Sequence, residues 1–177
     1  MKQAIKRVWI KRGEKYYVST VKHPVKIHVW GCFSKYGFGK LILFKQTLNS
    51  EFMCKIYKNG LLPSVNKWFG DNSCDWKLLE GNDPKHTSKF SKRFESNNSI
   101  ESSPWPSQSP DCNPVENVWS LMKLKINNRP LTLVNNFCRR IKKEWKNLSI
   151  EFSEKLVLSM ENRITLLIQR EGDYINY

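Results

Sequence analysis

The stretch WPSQSPDCNPVENVW, residues 105–119, is the most informative part of this chain. Its first half is rich in proline and serine, which excludes a helix there and predicts an extended loop. Asn113 followed by Pro114 is typical of a helix start, because asparagine caps a first turn and proline suits the first helical position. Apolar residues then recur at helical spacing from Val118 onward. The stretch therefore predicts a loop that leads into an amphipathic helix, with Glu116 in its first turn.

Upstream of this stretch, the pattern predicts strands first and helices afterwards. Residues 25–33 alternate and are rich in β-branched and aromatic side chains, and residues 41–44 form an apolar run after a glycine-bounded turn. These two runs predict a hairpin. A helix that begins at residue 49 or 50 should end at Gly60 and Pro63.

Several further elements complete the expected layout. Residues 76–79 predict a short buried strand that runs toward Gly81, and residues 88–95 predict a basic helix. Two helices close the chain: Thr132 should cap the first, whose apolar face includes Trp145, and residues 152, 156, 160, 164 and 167 mark the apolar face of the second. Strands followed by helices in this order indicate an α/β layer.

The charge balance points to a polyanionic partner. Lys and Arg number 30 against 16 Asp and Glu, which gives a net charge of +14 and a field that attracts nucleic acid,. A solvated basic surface without a ligand is the alternative. The 5 cysteines are odd in number and widely spaced, which favours a reducing compartment over a disulfide framework,. No run is long and apolar enough for a membrane span, so no membrane partner is expected.

Three strings in the chain resemble mariner-type transposases of the Tc/mariner superfamily. They are VWGCFS at residues 29–34, NDPKHTS at residues 82–88, and residues 105–119, in the order of that family. The resemblance implies an α/β, ribonuclease-H-like mixed sheet with helices. Residues 1–128 would form the catalytic domain, and residues 129–177 a carboxyl-terminal helical extension of the same domain. It also implies DNA cleavage and strand transfer in cut-and-paste transposition, at a two-Mg²⁺ site held by three carboxylates, Asp, Asp and Glu.

The resemblance places the metal ligands residue by residue. Glu116 matches the third carboxylate, although Asn113 and Glu116 also form a capping-box pattern, and the two roles are compatible. The second carboxylate belongs directly before Asn82, a position that 34 residues separate from Glu116, and Gly81 stands there. The first belongs on a strand upstream of residues 8–10. The expected domain therefore lacks its first strand and two of three catalytic carboxylates, and we expect this copy to be catalytically inactive.

Acidic neighbours of Gly81 are weak substitutes for the lost ligand. Asp83 and Glu80 flank the gap, but a shift of one residue along a strand turns a side chain to the opposite face. Asp83 is also restricted because it precedes Pro84. A turn or solvent role is the better interpretation of Asp83.

Binding to DNA is expected to be directed mainly at the phosphate backbone, because the chain has no room for the helix-turn-helix region of full-length relatives. A non-catalytic basic module that binds nucleic acid without sequence preference is the alternative function. A full-length transposase subunit is a further possible partner, and the family implies a nuclear location. The candidate DNA contacts are Lys85, His86, Lys89, Lys92, Arg93, Arg139, Arg140 and Lys143.

Overall fold

The computed structural model describes residues 12–13, 26–70, 76–106, 109–127 and 134–175. The strand expected near residues 8–10 and the cap expected at Thr132 lie outside these ranges. The elements are β1 (His28–Ser34), β2 (Gly37–Phe44), α1 (Ser50–Ile56), a π-helical turn (Tyr57–Leu61), α2 (Leu62–Phe69), α3 (Pro84–Thr87), α4 (Lys89–Asn97), α5 (Val115–Asn127), α6 (Val134–Lys146) and α7 (Ile150–Gln169). No helix in these ranges is long and apolar enough to cross a membrane.

The hairpin of β1 and β2 is the centre of the layered structure. The strands pair antiparallel with Trp30 opposite Ile42, and a bulge lies between Gly31 and Phe33. Successive side chains of a strand point to opposite faces. Trp30 and Ile42 accordingly pack on one core, built on α1, the π-helical turn and α2. Val29 and Leu43 pack on the other core, built on α5, α6 and α7. Helices thus cover both faces of the hairpin.

Trp145 on α6 holds the second core against the hairpin. Its indole Nε1 donates a 2.9 Å hydrogen bond to the carbonyl of Gly39, and its ring stacks on Trp119 at 5.6 Å between centroids. A Cβ at Gly31 would lie 2.5 Å from the Trp145 ring. Glycine is therefore required at position 31 for the close approach of α6, and the predicted core role of Trp145 is confirmed.

The helical segment of residues 50–69 does not end where the sequence predicts. Gly60 lies inside the π-helical turn, where an added Cβ would be 2.6 Å from the Trp30 ring, and its carbonyl accepts a 2.6 Å hydrogen bond from Ser64 Oγ. Pro63 sits in the first turn of α2, where no amide hydrogen is needed,. The prediction that the helix ends at Gly60 and Pro63 was wrong. Gly60 allows close packing against the Trp30 ring, and Pro63 lies in the first turn of the next helix, α2.

The expected strand at residues 76–79 is also wrong. The structure has only a single parallel bridge between Leu78 and Ser102 in the described ranges. The Leu78 amide donates to the carbonyl of Glu101 at 2.7 Å, and the Ser103 amide donates to the carbonyl of Leu78 at 2.9 Å. The segment is therefore extended but does not form a strand.

Helix α7 turns most of its predicted apolar face inward, with an exception at position 164. Ile164, expected to be buried, is 51% exposed, while the neighbouring Arg163 is 2% exposed. The Arg163 guanidinium donates to the carbonyl of Asp111 at 3.0 Å and to Asn117 Oδ1 at 2.9 Å. These hydrogen bonds satisfy the buried charge and tie α7 to α5 and to the loop that precedes it.

Candidate functional site

A cleft lies at the position where the sequence places the second carboxylate. It is open to solvent, has a volume of about 280 Å³, and is lined by residues 80–82, by residues 102–104, and by Thr87 and Lys92. The bridge between Leu78 and Ser102 brings the first two segments side by side. The cleft therefore contains Gly81, and most of the residues that line it carry a hydroxyl, amide or charged group.

The NDPKHTS string folds as two successive helix caps. Asp83 accepts a 3.1 Å hydrogen bond from the Lys85 amide and so caps α3, which starts at Pro84. The Asp83 carboxylate also pairs with Lys85 Nζ at 2.7 Å, and hydrogen bonds from Lys85 lower the pKa of this carboxyl. Ser88 then accepts a 3.1 Å hydrogen bond from the Ser91 amide and caps α4. Asp83 is thus engaged at a helix start.

Glu80 is the buried anion beside Gly81. The Tyr57 hydroxyl donates a hydrogen bond to Glu80 Oε2, and His86 Nδ1 lies 2.8 Å from the same oxygen. Burial raises the pKa of Glu80, but the hydrogen bonds from His86 and Tyr57 outweigh burial, so the pKa falls below its ordinary value. Burial and the charge of Glu80 raise the pKa of Tyr57 far above its ordinary value. Glu80 is therefore ionised and Tyr57 protonated at neutral pH.

The same cluster defines the tautomer of His86. The Tyr57 oxygen lies 2.7 Å from His86 Nδ1, and the single hydroxyl proton of Tyr57 is already donated to Glu80. His86 Nδ1 must then carry a hydrogen in order to contact two oxygens favourably. His86 holds Glu80 in place and does not act as a proton acceptor at Nδ1.

Lys92 connects the cleft to a second buried carboxylate, Glu95. Lys92 Nζ lies 2.8 Å from Glu95 Oε2 and 3.7 Å from Glu80 Oε1, and it also donates to Ser102 Oγ at 2.9 Å. The Glu95 side chain is only 3% exposed. The sequence analysis did not identify Glu95 as part of the site. The available signal was its spacing of three residues from Lys92, which on a helix favours an ion pair.

The predicted metal ligands do not form a carboxylate cluster in the described residues. Glu116 lies exposed in the first turn of α5, after the cap in which Asn113 Oδ1 accepts a 3.2 Å hydrogen bond from the Val115 amide. The lining of the cleft does not include Glu116. No group of three or more His, Cys, Asp or Glu in the described ranges is arranged to hold a metal ion. The residues present there do not fit the Mg²⁺ pair that the resemblance implies.

Gly81 itself leaves space for a side chain. A Cβ built on Gly81 meets no heavy atom within 4 Å, and its backbone is outside the left-handed region. Neither steric crowding nor backbone conformation therefore requires glycine at this position.

The structure divides the candidate DNA contacts into two groups. Lys85, His86 and Lys92 are engaged in the pairs described above, and the Arg140 guanidinium donates to the carbonyl of Lys125 at 2.6 Å. This bond joins α6 to the end of α5. The four exposed cations are Lys89, Arg93, Arg139 and Lys143.

Residues 2–138 of the chain match the family model of the DDE superfamily endonucleases. The chain belongs to this family. It is 29% identical to the Tcb1 transposase of Caenorhabditis briggsae over 171 residues, covering 93% of this chain and 62% of the relative. It is 28% identical to the Tc1 transposase of Caenorhabditis elegans, covering 96% of this chain and 63% of the relative. The chain thus spans about three fifths of the length of these curated relatives.

Solved structures of a mariner transposase share the fold. The catalytic domain of the Mos1 mariner transposase superposes with a TM-score of 0.74 at 17% identity, over 85% of this chain and 75% of that one. A pre-cleavage Mos1 transpososome gives a TM-score of 0.80 at 15% identity, over 97% of this chain and 52% of that one. The predicted family and the predicted ribonuclease-H-like fold are confirmed.

The depressed pKa of Glu80 generates a pH-dependent prediction. Glu80→Gln should lower the free energy of unfolding by about 1–3 kcal/mol at neutral pH, because Tyr57 and His86 lose a charged acceptor. The carboxylate stabilises the fold fully above its unfolded pKa of about 4.5, and this contribution disappears as the pH falls through the lower folded pKa,. Urea titrations across this range should therefore show that the free energies of unfolding of the variant and the wild type converge only below about pH 4.5.

The matched control is Glu154→Gln, an exposed glutamate on α7. Its free energy of unfolding should match that of the wild type across the same urea titrations. A constant difference between Glu80→Gln and the wild type down to strongly acidic pH would contradict the proposed charge state of Glu80.

Proposed function

We propose that this chain is the catalytic-domain part of a Tc1/mariner-type transposase, ancestrally an enzyme of DNA cleavage and strand transfer, and that this copy no longer cleaves DNA. The observation that carries the proposal is Gly81. It stands directly before the NDPKHTS string, where the family resemblance implies a metal-binding carboxylate, and it lies in the lining of the cleft. A site that works by fixing metal-bound oxygens in position loses its function when a ligand is missing.

The neighbouring carboxylates support the proposal because each has another partner. Glu80 holds Tyr57 and His86, and Asp83 caps α3 while pairing with Lys85. Turning either carboxylate from these partners to a metal ion would leave buried or capping groups unsatisfied. We infer that neither residue replaces the ligand missing at Gly81.

Plasmid nicking tests this loss of activity. The purified chain should leave supercoiled plasmid intact in Mg²⁺ and in Mn²⁺, because positioning by carboxylates is nearly all that such a site contributes to the reaction. Agarose electrophoresis of the plasmid forms after extended incubation is the measurement.

The control is Glu116→Ala, which removes the carboxylate that matches the family's third ligand. Wild type and Glu116→Ala should be equally inactive. Nicking by the wild type that Glu116→Ala abolishes would show that a working metal site exists despite Gly81.

A second function, binding of nucleic acid without sequence preference, is favoured by the exposed cations of α4 and α6. Arg139 and Lys143 lie on the solvent side of α6, and Lys89 and Arg93 lie on that of α4. With a net charge of +14, these groups provide the phosphate contacts that we propose,. Mos1 is known in a paired-end complex with the left transposon end. For this chain we propose DNA as the partner, a nuclear location, and a full-length transposase subunit as a second partner.

Salt-dependent DNA binding tests this second function. On unrelated duplexes the chain should bind with a Kd of roughly 10⁻⁴ to 10⁻⁶ M at physiological salt, with affinity falling steeply as salt rises. The variant Arg139→Gln/Lys143→Gln should reduce the slope of log K against log salt by about 2, since each phosphate contact contributes about 0.9.

The control Lys85→Gln/Arg140→Gln removes the same charge from cations that are engaged within the protein. It should change the slope less, with thermal melts confirming that both variants are folded. Equal slopes for the wild type and the Arg139→Gln/Lys143→Gln variant, or a strong preference for one duplex, would contradict the proposed interface.

A further inference from the structure

We infer that the ammonium of Lys92 is a built-in cation of the Gly81 cleft, which pairs with both Glu80 and Glu95 and so selects against divalent metal ions. This inference rests on the proposed function, because it describes which group supplies positive charge in the cleft where the family resemblance implies metal ions. It rests on the contacts of Lys92 and on the burial of the two carboxylates.

The first step is the arrangement of charges. Lys92 lines the cleft together with Gly81. Its Nζ reaches Glu95 Oε2 at 2.8 Å, Glu80 Oε1 at 3.7 Å and Ser102 Oγ at 2.9 Å. A single amine thus contacts two carboxylates and a hydroxyl, as a bound cation would.

The second step is the requirement for such a cation. The side chains of Glu80 and Glu95 are 12% and 3% exposed. Glu80 Oε1 and Glu95 Oε1 are buried and have no hydrogen-bond partner among the described residues. Burying two carboxylates without a positive charge nearby costs free energy, and the Lys92 amine reaches both of them,.

The third step is selectivity. With Lys92 in place, a divalent ion at the carboxylates would lie within a few ångströms of the partly exposed Lys92 ammonium, and like charges at that distance repel each other,. Without Lys92, the Glu80 and Glu95 carboxylates and the Ser102 hydroxyl present the hard oxygen atoms that Mn²⁺ and Mg²⁺ prefer. Lys92 therefore determines which ions the cleft admits.

The experiment is a set of thermal melts with and without Mn²⁺ on the full chain. The variants are Lys92→Gln, Lys92→Gln/Glu95→Gln, and the matched control Lys89→Gln, which removes an exposed lysine from the same helix. Lys92→Gln should melt roughly 5 °C below Lys89→Gln, because it leaves buried carboxylates uncompensated. Adding Glu95→Gln should recover most of that loss. Mn²⁺ should raise the Tm of Lys92→Gln and leave the wild type, the control and the double variant unchanged.

Two results would overturn the inference: Lys92→Gln melting like Lys89→Gln, or Mn²⁺ raising the Tm of wild type and Lys92→Gln equally. If Lys92→Gln alone fails to fold, recovery of a cooperative melt in Lys92→Gln/Glu95→Gln still supports it, and failure of both variants to fold overturns it. The thermal melts contain no DNA and do not measure cleavage. Plasmid nicking by the wild type would therefore refute the proposed inactivity without contradicting the coupling between Lys92 and Glu95.

Discussion

The buried carboxylate of Glu80 is the constraint on which the structure around the cleft depends. It is held by Tyr57, which the π-helical turn places against it, and by His86 of α3. A glutamate this far from water is tolerable only when donors and a cation surround it. Groups from α3, α4 and the π-helical turn meet that requirement, and two of them, His86 and Lys92, are among the side chains that the sequence offered for DNA.

Much of the fold follows from local pattern. The alternation in residues 28–44 and the cap at Ser88 or Asn113 each reflect a local physical preference, so the hairpin and the helices after these caps are found where expected,. Gly60 was misread because its reason for being glycine is the Trp30 ring, which lies across the core. Arg163 was missed for a similar reason, since its partners Asp111 and Asn117 lie far along the chain. Tertiary contacts of this kind leave no periodic signal.

The candidate site, like the fold, could be predicted from the sequence only in part. The resemblance identified Gly81 and Glu116, because those positions are defined by spacing within strings of residues. It gave no indication that Glu95 is buried or that Lys92 bridges two carboxylates, since both lie on a helix whose composition is typical of a solvated face. Family membership and present activity are therefore separate questions: the chain belongs to the DDE superfamily endonucleases, and beside Gly81 the Lys92 ammonium pairs with Glu80 and Glu95.

The central claim, that Gly81 and Glu116 form no working metal centre, is tested most directly by Mn²⁺ binding. Electron paramagnetic resonance of free Mn²⁺ in titrations of the wild type and of Glu116→Gln reports uptake without any catalytic step. We expect the two proteins to take up Mn²⁺ weakly and to the same extent. Tight, stoichiometric uptake by the wild type that Glu116→Gln abolishes would contradict the claim.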